Sequence, residues 1–586
     1  MLSDGGRRFT LKVVTLNERR KTFELKNKEW TPEPVHELFF RMAKQYQNKA
    51  FIISDQKKWS YADTEDLSKK FSTGLMDLGI KQHDHVALIF PNYPEFIFTK
   101  FGVAAAGGIT VPLNYRLKKE EFAYLIKQSD SSFIVTVDEW NDINYVSMLK
   151  ELCPEVFKRN QSEQFPNLKG IIVFSPQGKN YPGTTDFYDL VFSIERGRAE
   201  SVMNRIPKAQ ASDVTDIMYT SGTTSMPKGV LVTHDMIWRS AFGSCINRGY
   251  QEGRSIFIPI PFYHCFGYIE GIIAGSMVGG ILILQINFNE SEALDLMEQH
   301  QATDILCVPT IGLKLVDVQQ QQPRDLSKLQ SMYCAGAEVS NQMWKDIKHE
   351  LKIKELNTGY GMTECAAGVL QTDPNDPISY LSKYVGCVIP GGHVGPDELD
   401  GKNITFKVRD IDTGEDLPLG KEGELVCRGP LVTGGYYNKE KETAETIDHD
   451  GWLKTGDLAV IDENGYISLT GRIKEIYRMG AENVAPKEIE DVLTSHELIN
   501  QAYVTGVPDP VMGEVGLAWI VLEQEASLSE KKIFEYASKR LARYKVPKYI
   551  KVVEKHELPM TPVGKVLKRQ LKDWFIDEQG KVESHF

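Results

Sequence analysis

The sequence predicts an α/β protein with a large N-terminal domain, in which parallel-rich sheets are covered by helices, and a small α+β C-terminal domain. Three observations predict this arrangement. The chain has 586 residues, which is more than one ordinary hydrophobic core accommodates. Its earlier part alternates the patterns of apolar strands and helices, and after about Gly420 short strands joined by turns replace them.

The clearest strand–helix–strand unit begins at His85. The run "HVALIF" (His85 to Phe90) is typical of a buried strand. The next segment, "PEFIFTKFGVAAAGG", is typical of a helix with Pro94 in its first turn and glycines at its end. The run "ITVPL" is the following strand. This order predicts a βαβ unit, and therefore a parallel sheet that is covered on both faces.

Later segments repeat the order of helix and then strand, as in "AKQYQNKAFIISD" and "HQATDILCVPT". The most apolar stretch, Tyr268 to Ile286, has two interpretations. It is either a membrane span or a packed helix (Ile269 to Met277) followed by a buried strand (Gly280 to Leu284). Glu270 and four glycines interrupt the stretch, and they favour the helix and strand.

The C-terminal part has a different pattern of predicted secondary structure. The runs "GELVCRG", "LAVIDENGYISLTGR" and "AYVTGVPDP" are short strands joined by turns, and Asp462–Gly465 is a hairpin signal. We place a domain boundary near Arg472. The predicted domains are residues 1–471 and residues 472–586.

The composition excludes several classes of function. A net charge of −12 without a basic block argues against nucleic acid as the main partner. The first residues, "MLSDGGRRFTLKVV", contain no apolar core of signal-peptide length. The eight cysteines are scattered without a Cys-x-x-Cys pair, which indicates buried thiols in a reducing compartment and no zinc or disulfide framework. We expect a cytoplasmic protein without an integral membrane span.

The loop within "MYTSGTTSMPKGVLVTH" (Met218 to His234) is rich in hydrogen-bond donors. A strand, "TDIMYT", leads into it, and Lys228 supplies a positive charge. Such a loop turns backbone and hydroxyl donors towards an anion, which predicts a phosphate cradle; a polar surface loop is the alternative. It is not a Walker loop, because Gly229 and a second strand follow the lysine. The donors are Thr220, Ser221, Gly222, Thr223 and Thr224.

Several motifs resemble, in order, those of the adenylate-forming superfamily of acyl-CoA synthetases, stand-alone adenylation domains and beetle luciferases. The resemblance covers nearly the whole chain after Trp30. Besides the loop, the matching motifs are "IPIPFYHCFGY", "CAGAEVS", "GYGMTE", "GELVCRGPLVTGGYYN", "GWLKTGDLA", "GRIKEIYRMGAENVAPKEIE" and "LPMTPVGKVLKR". The resemblance implies that a carboxylate attacks the α-phosphate of ATP to give an acyl-adenylate and pyrophosphate. A thiol, that of coenzyme A, then takes the acyl group.

The resemblance also implies roles for individual residues. The Thr220–Gly229 loop would hold the β- and γ-phosphates, while Glu364 with Thr223 would bind Mg²⁺, and Thr363 would donate to the α-phosphate. Taken singly, the matched residues have ordinary structural interpretations, such as a helix or turn cap for Asp457 and core packing for Tyr360. The residues that would contact the nucleoside are Tyr360 and Gly361, the backbone of Gly336, Ala337 and Glu338, the ribose ligand Asp457, and Arg472.

The C-terminal domain would supply the remaining groups. Lys565, in a loop before a short helix, matches the lysine that bridges the carboxylate and the α-phosphate. The family's small domain rotates about a hinge for the second step, and the hinge matches Lys474. The loop "RMGAENV", which contains Gly480, would then line the pantetheine tunnel. Two positions depart from the family pattern: Ser225 and Ala481 each stand where the family usually has glycine.

The motif "PFYHCFGY" lacks the aspartate that pairs with the ammonium group in amino-acid-activating members. An apolar acid is therefore implied, with medium-chain and aryl acids favoured. Glu270 either lies near the pocket, caps a helix or pairs elsewhere. The matched positions of the pocket are His264, which we also count among the catalytic residues, Phe266, Pro309, Thr310, Gly336 and Gly361, and the apolar lining would include Phe262 and Ile311.

Three functions are compatible with these residues. The first is an acyl-CoA synthetase that uses ATP, Mg²⁺ and coenzyme A. The second is an acyl-AMP ligase that loads the pantetheine thiol of a carrier protein. The third is a non-catalytic nucleotide-binding protein, against which Lys565, Glu364 and Asp457 argue. A monomer and a homodimer are both compatible with the sequence.

Overall fold

The structure is a computed structural model that describes residues 14–55, 57–205, 208–220, 226–337, 339–480, 482–524, 526–560 and 566–583. It is a mixed α/β fold with parallel-rich sheets, as the sequence predicts. Two large sheets come from the first part of the chain, together with a two-stranded hairpin of Glu139–Trp140 and Ile143–Asn144, two smaller antiparallel sheets follow, and a further sheet comes from the C-terminal part.

The first large sheet has seven strands and contains the predicted βαβ unit. The strands His85–Ile89 and Ile109–Pro112 run parallel, and the helix Pro94–Ala105 connects them, so this prediction is confirmed. Every residue of His85–Ile89 is buried, because helices cover both faces. In sheet order the strands are Gly229–Thr233, Val214–Tyr219, Ile109–Pro112, His85–Ile89, Ser131–Val137, Gly170–Phe174 and Thr185–Asp186.

The second large sheet also has seven strands. All neighbouring strands are parallel except Lys57–Ser60, which runs antiparallel at one edge. The predicted helix-then-strand pairs are found as Val35–Tyr46 with Ala50–Ser54, and as Glu290–Gln299 with Asp304–Cys307. In sheet order the strands are Glu355–Asn357, Ser331–Cys334, Asp304–Cys307, Ser255–Ile258, Ile281–Leu284, Ala50–Ser54 and Lys57–Ser60.

Helices cover these two sheets and pack closely on one another. The helices Tyr61–Asp77 and Pro94–Ala105 approach closely at Gly102, where a Cβ atom would lie 2.8 Å from the carbonyl oxygen of Ser68. The remaining helices before residue 472 are Leu16–Lys26, Val35–Tyr46, Lys119–Gln128, Tyr145–Leu152, Pro154–Phe157, Phe187–Phe192, Arg196–Met203, His234–Asn247, Phe266–Ile273, Ala274–Met277, Glu290–Gln299, Pro309–Gln321, Asn341–Glu350, Ile378–Leu381 and Glu440–Thr446.

The apolar stretch from Tyr268 is a helix and a strand, as favoured above. The helix begins earlier than predicted, at Phe266, and its first part, Phe266–Ile273, is a π-helix. The π-helix, which is wider than an α-helix, carries the fully buried Glu270. The local sequence does not show which polar groups contact this carboxylate. The strand is Ile281–Leu284. Within the described ranges, no helix combines the length and the apolar character that a membrane crossing requires.

Two antiparallel sheets follow the large ones. The predicted hairpin at Asp462–Gly465 is confirmed, because Gly465 N donates to Asp462 O at 3.0 Å and Gly465 has a φ of 81°. The three-stranded sheet contains Gly359–Met362, Ala367–Gln371 and Cys387–Val388, and the four-stranded sheet contains Thr405–Arg409, Glu422–Arg428, Leu453–Ile461 and Ile467–Arg472.

The C-terminal part builds its own five-stranded sheet and core. Its last helix, Lys568–Glu583, has 16 residues, so the prediction of a short helix after Lys565 is wrong. Leu571 and Phe575 lie on one face of this helix, and packing of that face against the sheet stabilises the longer helix. The strands are Tyr477–Met479, Glu482–Val484, Ile499–Asp509, Gly513–Leu522 and Tyr549–Val552, and the other helices are Pro486–Thr494 and Glu530–Ser538.

Two buried histidines lie where the helix Val35–Tyr46 meets the helix His234–Asn247. His36 is 7% exposed and His234 is 3% exposed, and their ring centroids lie 6.0 Å apart. Val35 N donates to His234 Nδ1 at 3.2 Å, which requires that nitrogen to be unprotonated. Burial lowers the pKa of His36 to about 4, and it lowers the pKa of His234 well below its ordinary value.

We predict that the protein loses stability below neutral pH through His36. Its pKa is depressed in the folded state, so the unfolded chain binds the proton first, and stability falls as the pH drops from 6.5 towards about 4. Between pH 7 and pH 5 this histidine should account for about 2 kcal/mol of the loss in free energy of unfolding. Urea titrations of the wild type and of His36→Gln at both pH values measure the difference.

The matched control is His556→Gln, because the His556 side chain is exposed. The control should keep the pH dependence of the wild type, whereas His36→Gln should lose part of it. An identical pH dependence in all three proteins would contradict the assignment to His36.

Candidate active site

The donor-rich loop leaves the edge of the first large sheet. The antiparallel strands Val214–Tyr219 and Gly229–Thr233 flank it, so the predicted second strand after Gly229 is confirmed. Thr220 N donates to Lys228 O at 3.0 Å and closes the base of the loop. Its tip, comprising Ser221, Gly222, Thr223, Thr224 and Ser225, lies outside the described residues.

Lys228 lies above the ring of Tyr436. The segment around Tyr436 pairs with the free edge of the strand Gly229–Thr233, through Leu231 N to Gly435 O at 3.0 Å and Tyr437 N to Gly229 O at 2.8 Å. This pairing holds Lys228 Nζ 4.1 Å from the centroid of the Tyr436 ring. Burial lowers the pKa of Lys228, and the nearby Glu364 carboxylate opposes that effect. The amine therefore has a fixed position beside an acidic group.

Glu364 is fixed through its side chain and its backbone. Tyr436 Oη donates to Glu364 Oε1 at 2.8 Å, and Thr433 N donates to Glu364 O at 2.8 Å. The residue is only 8% exposed. A single oriented carboxylate is what Mg²⁺ uses when phosphate oxygens supply other ligands, so Glu364 fits the predicted metal role. When bound there, Mg²⁺ would offset charge on the phosphates.

The turn that carries Thr363 and Glu364 is held by a strained hairpin. Ala366 and Ala367, which follow directly, have φ values of 53° and 83° in the left-handed region. Across the hairpin, a Cβ atom at Gly361 would lie 1.8 Å from Ala367 O, so only glycine fits. The predicted Gly361 is therefore required by close backbone packing. It also leaves an exposed backbone surface beside Tyr360.

Tyr360, Asp457 and Arg472 lie together, as the motifs predict. Asp457 lies within the strand Leu453–Ile461 with Arg472 as its partner across the sheet, so the interpretation as a helix or turn cap is wrong. Tyr360 Oη donates to Asp457 Oδ2 at 2.6 Å, and Arg472 Nε lies 3.0 Å from Oδ1. Burial and the Asp457 carboxylate raise the pKa of Tyr360, so its hydroxyl stays protonated. Each carboxylate oxygen retains a lone pair for a further donor.

The other predicted contacts lie at the carboxyl ends of neighbouring parallel strands. Gly336 and Ala337 follow the strand Ser331–Cys334, and Thr310 follows its neighbour Asp304–Cys307. Gly336 has a φ of 104°, and a Cβ atom there would lie 3.5 Å from Val308. Both segments therefore reach the edge where α/β folds bind ligands. Glu338 lies outside the described residues.

His264 follows a loop that Asn92 holds in place. Asn92 Nδ2 donates to Ile260 O at 2.9 Å, and Phe262 N donates to Asn92 Oδ1 at 3.0 Å. His264 Nδ1 accepts from Phe266 N at 3.2 Å, which fixes the imidazole ring. The Phe262 ring is buried and packs against Phe96 at 5.8 Å between centroids, and its place in the pocket lining stays a prediction.

Lys474 is exposed on the single 3₁₀ turn Ile473–Glu475, directly before the C-terminal sheet. Next to it, Glu475 Oε2 accepts from Lys568 Nζ at 2.6 Å, and Lys568 also lies 2.9 Å from Glu490 Oε1. Gly480 has a φ of 64°, and its N–H donates to Met512 O at 2.8 Å. Lys565 and Ala481 lie outside the described residues.

Three positioning residues are absent from the sequence-based predictions: Tyr436, Asn92 and Lys568. Tyr436 stands within the matched motif "GELVCRGPLVTGGYYN", and that motif is the signal that singles it out. Asn92 and Lys568 act through contacts with residues far along the chain, at Ile260 and Glu475, which local patterns do not reveal.

Comparisons with known proteins match most of the chain. A family model described as AMP-binding enzyme matches residues 39–437, and one described as AMP-binding enzyme C-terminal domain matches residues 488–565. The chain is 31% identical over 531 residues to medium-chain acyl-CoA ligase ACSF2, mitochondrial, of Danio rerio, covering 89% of this chain and 84% of the relative.

A second relative and one solved structure extend the comparison. The chain is 28% identical over 555 residues to 4-coumarate–CoA ligase CCL1 of Humulus lupulus, covering 93% of this chain and 94% of the relative. ATP-bound MatB from Rhodopseudomonas palustris superposes with a TM-score of 0.78 at 24% identity, covering 92% of this chain and 99% of that one. This structural likeness concerns the fold.

We predict that Tyr436→Phe weakens binding of Mg²⁺–ATP about tenfold, because it removes one hydrogen bond to a carboxylate. The ring under Lys228 is kept, so the loss reports on Glu364. Tyr436→Leu should weaken binding further, since the contact of the amine with the ring is lost as well. Isothermal titration with Mg²⁺–ATP measures both effects.

Tyr437→Phe is the matched control for Tyr436→Phe. The neighbouring Tyr437 also donates to a carboxylate, Asp130 Oδ2 at 3.0 Å, but it does not contact Glu364. The control should bind Mg²⁺–ATP like the wild type. Equal affinities for Tyr436→Phe and the wild type would show that Tyr436 does not orient Glu364 for binding.

Proposed function

The chain belongs to the AMP-binding enzyme family, and from this membership we propose that it is an acyl-CoA synthetase. It activates a carboxylic acid with ATP as an acyl-adenylate, releases pyrophosphate and transfers the acyl group to coenzyme A. The observation that carries this proposal is the contact of Tyr436 with both Lys228 and Glu364, beside the hairpin that bears Tyr360. Groups for the phosphates and for the nucleoside thus lie on adjoining segments.

The first half-reaction joins two anions. A carboxylate oxygen of the acid forms a bond to the α-phosphorus, and the bond to the bridging oxygen of pyrophosphate breaks. Lys228 and the loop from Thr220 to Gly229 hold the β- and γ-phosphates, and Thr363 donates to the α-phosphate. Asp457 accepts from the ribose hydroxyls. Lys565 stabilises the negative charge that develops between acid and phosphate, as a preorganised cation does.

The second half-reaction uses a different arrangement of two domains, residues 1–471 and residues 472–586. The thiol of coenzyme A forms a bond to the acyl carbon, and AMP leaves. We propose that Lys474 is the hinge, which is supported by its exposed position between the strand Ile467–Arg472 of one sheet and Tyr477–Met479 of another. The loop at Gly480 then faces the pantetheine arm.

The acid is uncharged beyond its carboxylate, and a medium-chain or aryl acid is favoured. Support comes from the missing aspartate in "PFYHCFGY" and from the names of the relatives, one a medium-chain acyl-CoA ligase and the other a 4-coumarate–CoA ligase. His264, Phe266, Thr310, Gly336 and Gly361 border the pocket in this proposal. A cytoplasmic location is also proposed, supported by eight free thiols, of which seven are buried.

Acid-dependent ATP–pyrophosphate exchange tests the proposal. Linear acids, cinnamates, benzoates and α-amino acids are compared, and thioester formation is then measured with coenzyme A. Exchange with a linear or aryl acid, followed by thioester formation, is the expected result. Exchange without any thioester would instead indicate a carrier-protein thiol as the acceptor. Absence of exchange with every acid, or exchange only with an α-amino acid, would contradict the proposal.

We predict that Lys565→Ala lowers the rate of acyl-adenylate formation by a factor on the order of 10²–10³, because a preorganised cation is lost. The variant should still convert supplied acyl-adenylate and coenzyme A to thioester at the rate of the wild type. Lys555→Ala, which removes an exposed lysine of the same domain, is the control and should leave both steps unchanged. Equal losses in both half-reactions would contradict separate roles for the two arrangements.

A further inference from the structure

A single amide side chain joins two segments that flank the predicted phosphate loop. It belongs to Gln128, the last residue of the helix Lys119–Gln128. Gln128 Oε1 accepts a hydrogen bond from Tyr219 Oη, and Gln128 Nε2 donates to Tyr437 O at 2.8 Å. Both ends of the amide are therefore used, and we call these three residues the Gln128 bridge.

The two ends of the bridge lie on either side of Lys228. Tyr219 ends the strand that leads into the loop, and its partner across the sheet is Gly229, the residue after Lys228. Tyr437 follows Tyr436, and the centroid of the Tyr436 ring lies 4.1 Å from Lys228 Nζ. The bridge thus connects the segment before the loop with the segment that carries the ring beneath the amine.

Gly229 makes room for the bridge. Tyr437 N donates to Gly229 O at 2.8 Å, so Gly229 lies between the two ends of the bridge. A Cβ atom at Gly229 would lie 3.3 Å from Cζ of Tyr219, the ring carbon that bears the hydroxyl, and 2.6 Å from Cγ2 of Ile217. Because this side chain is absent, the Tyr219 ring can lie across the glycine and reach Gln128.

The bridge does not depend on a titrating group near neutral pH. Burial raises the pKa of Tyr219, so its hydroxyl stays protonated and remains a donor. The amide of Gln128 carries no charge. One helical turn earlier, Tyr124 Oη donates a long hydrogen bond to Pro227 O at 3.4 Å, directly before Lys228. The last turn of the helix therefore contacts the chain at both ends of the loop.

We propose that Gln128 is a positioning residue for the β- and γ-phosphates of ATP. By holding Tyr219 and Tyr437 together, it keeps Lys228 at the place where these phosphates bind, and it acts through that lysine. The inference rests on the proposed function, because the phosphates are those of its substrate. A cation that is already in position binds an anion without a further cost of ordering. Binding of AMP, which has only the α-phosphate, should not depend on the bridge.

Gln128→Met tests the inference, because methionine has a similar length and makes neither hydrogen bond. Affinities for Mg²⁺–ATP and for AMP are measured by isothermal titration. The variant should bind Mg²⁺–ATP about fivefold more weakly, as expected when neutral hydrogen bonds are lost, and should bind AMP like the wild type. An unchanged affinity for Mg²⁺–ATP would overturn the inference. Equal losses for both nucleotides would also overturn it, since they would show a general disturbance of the site.

Tyr219→Phe removes one hydrogen bond of the bridge and keeps the ring, and it decides the matter if Gln128→Met does not fold. It should weaken binding of Mg²⁺–ATP about two- to threefold and leave binding of AMP unchanged. Added to Gln128→Met, it should cause no further loss, because both changes remove the same contact. A further loss as large as that of Tyr219→Phe alone would show that the two residues act independently, which would overturn the bridge.

Gln319 supplies the matched control. It also lies in the last turn of a helix, Pro309–Gln321, and uses both ends of its amide. Its Nε2 donates to Arg324 O at 2.9 Å, and its Oε1 accepts from Arg324 N at 3.1 Å. Gln319→Met should keep the wild-type affinities for Mg²⁺–ATP and for AMP. A selective loss of Mg²⁺–ATP binding in this control, equal to that of Gln128→Met, would overturn the assignment to the bridge.

Pyrophosphate exchange separates the inference from the proposed function. With an acid that supports exchange, Gln128→Met should raise the KM for ATP about fivefold and leave the KM for the acid and kcat close to the wild-type values. A KM for ATP equal to that of the wild type would overturn the inference and leave the proposed function standing. A wild type that binds Mg²⁺–ATP but exchanges with no acid would overturn the proposed function, while the titrations still decide the inference. A wild type that does not bind Mg²⁺–ATP would overturn both.

Discussion

The connection between Arg472 and Tyr477 is held by an ion pair at each of its ends. It joins the last strand of one antiparallel sheet to the first strand of the C-terminal sheet. On one side Asp457 holds Arg472 at 3.0 Å, and on the other Lys568 holds Glu475 at 2.6 Å. We propose that a change in the arrangement of the two parts falls on the few backbone angles around Lys474.

The charged groups on the N-terminal side are fixed before any substrate binds. Tyr436 holds Lys228 and Glu364 together, and the Glu270 carboxylate is oriented by its network with Arg248. Such preorganised groups need little reorganisation when charge develops, which is the main source of electrostatic catalysis.

Much of the fold could be predicted from the sequence, because buried strands and the signals that begin and end helices are local. The βαβ unit at His85 and the hairpin at Asp462 are examples. The site residues could be named only because their motifs resemble a family. Contacts between distant segments could not be predicted: Tyr436 reaches Glu364 across 72 positions, and Lys568 reaches Glu475 across 93. The π-helix Phe266–Ile273 could not be predicted either. Its residue Glu270 accepts a hydrogen bond from Gly368, which is distant in the sequence.

The most direct test of the two-arrangement mechanism is to measure both half-reactions of Lys474→Pro and of Lys474→Ala. Proline fixes φ near about −65° and so limits the motion, whereas alanine removes only the side-chain charge. The mechanism predicts that the proline variant forms acyl-adenylate at the wild-type rate and loses most thioester formation, while the alanine variant retains both steps. Normal overall turnover by Lys474→Pro would contradict the hinge.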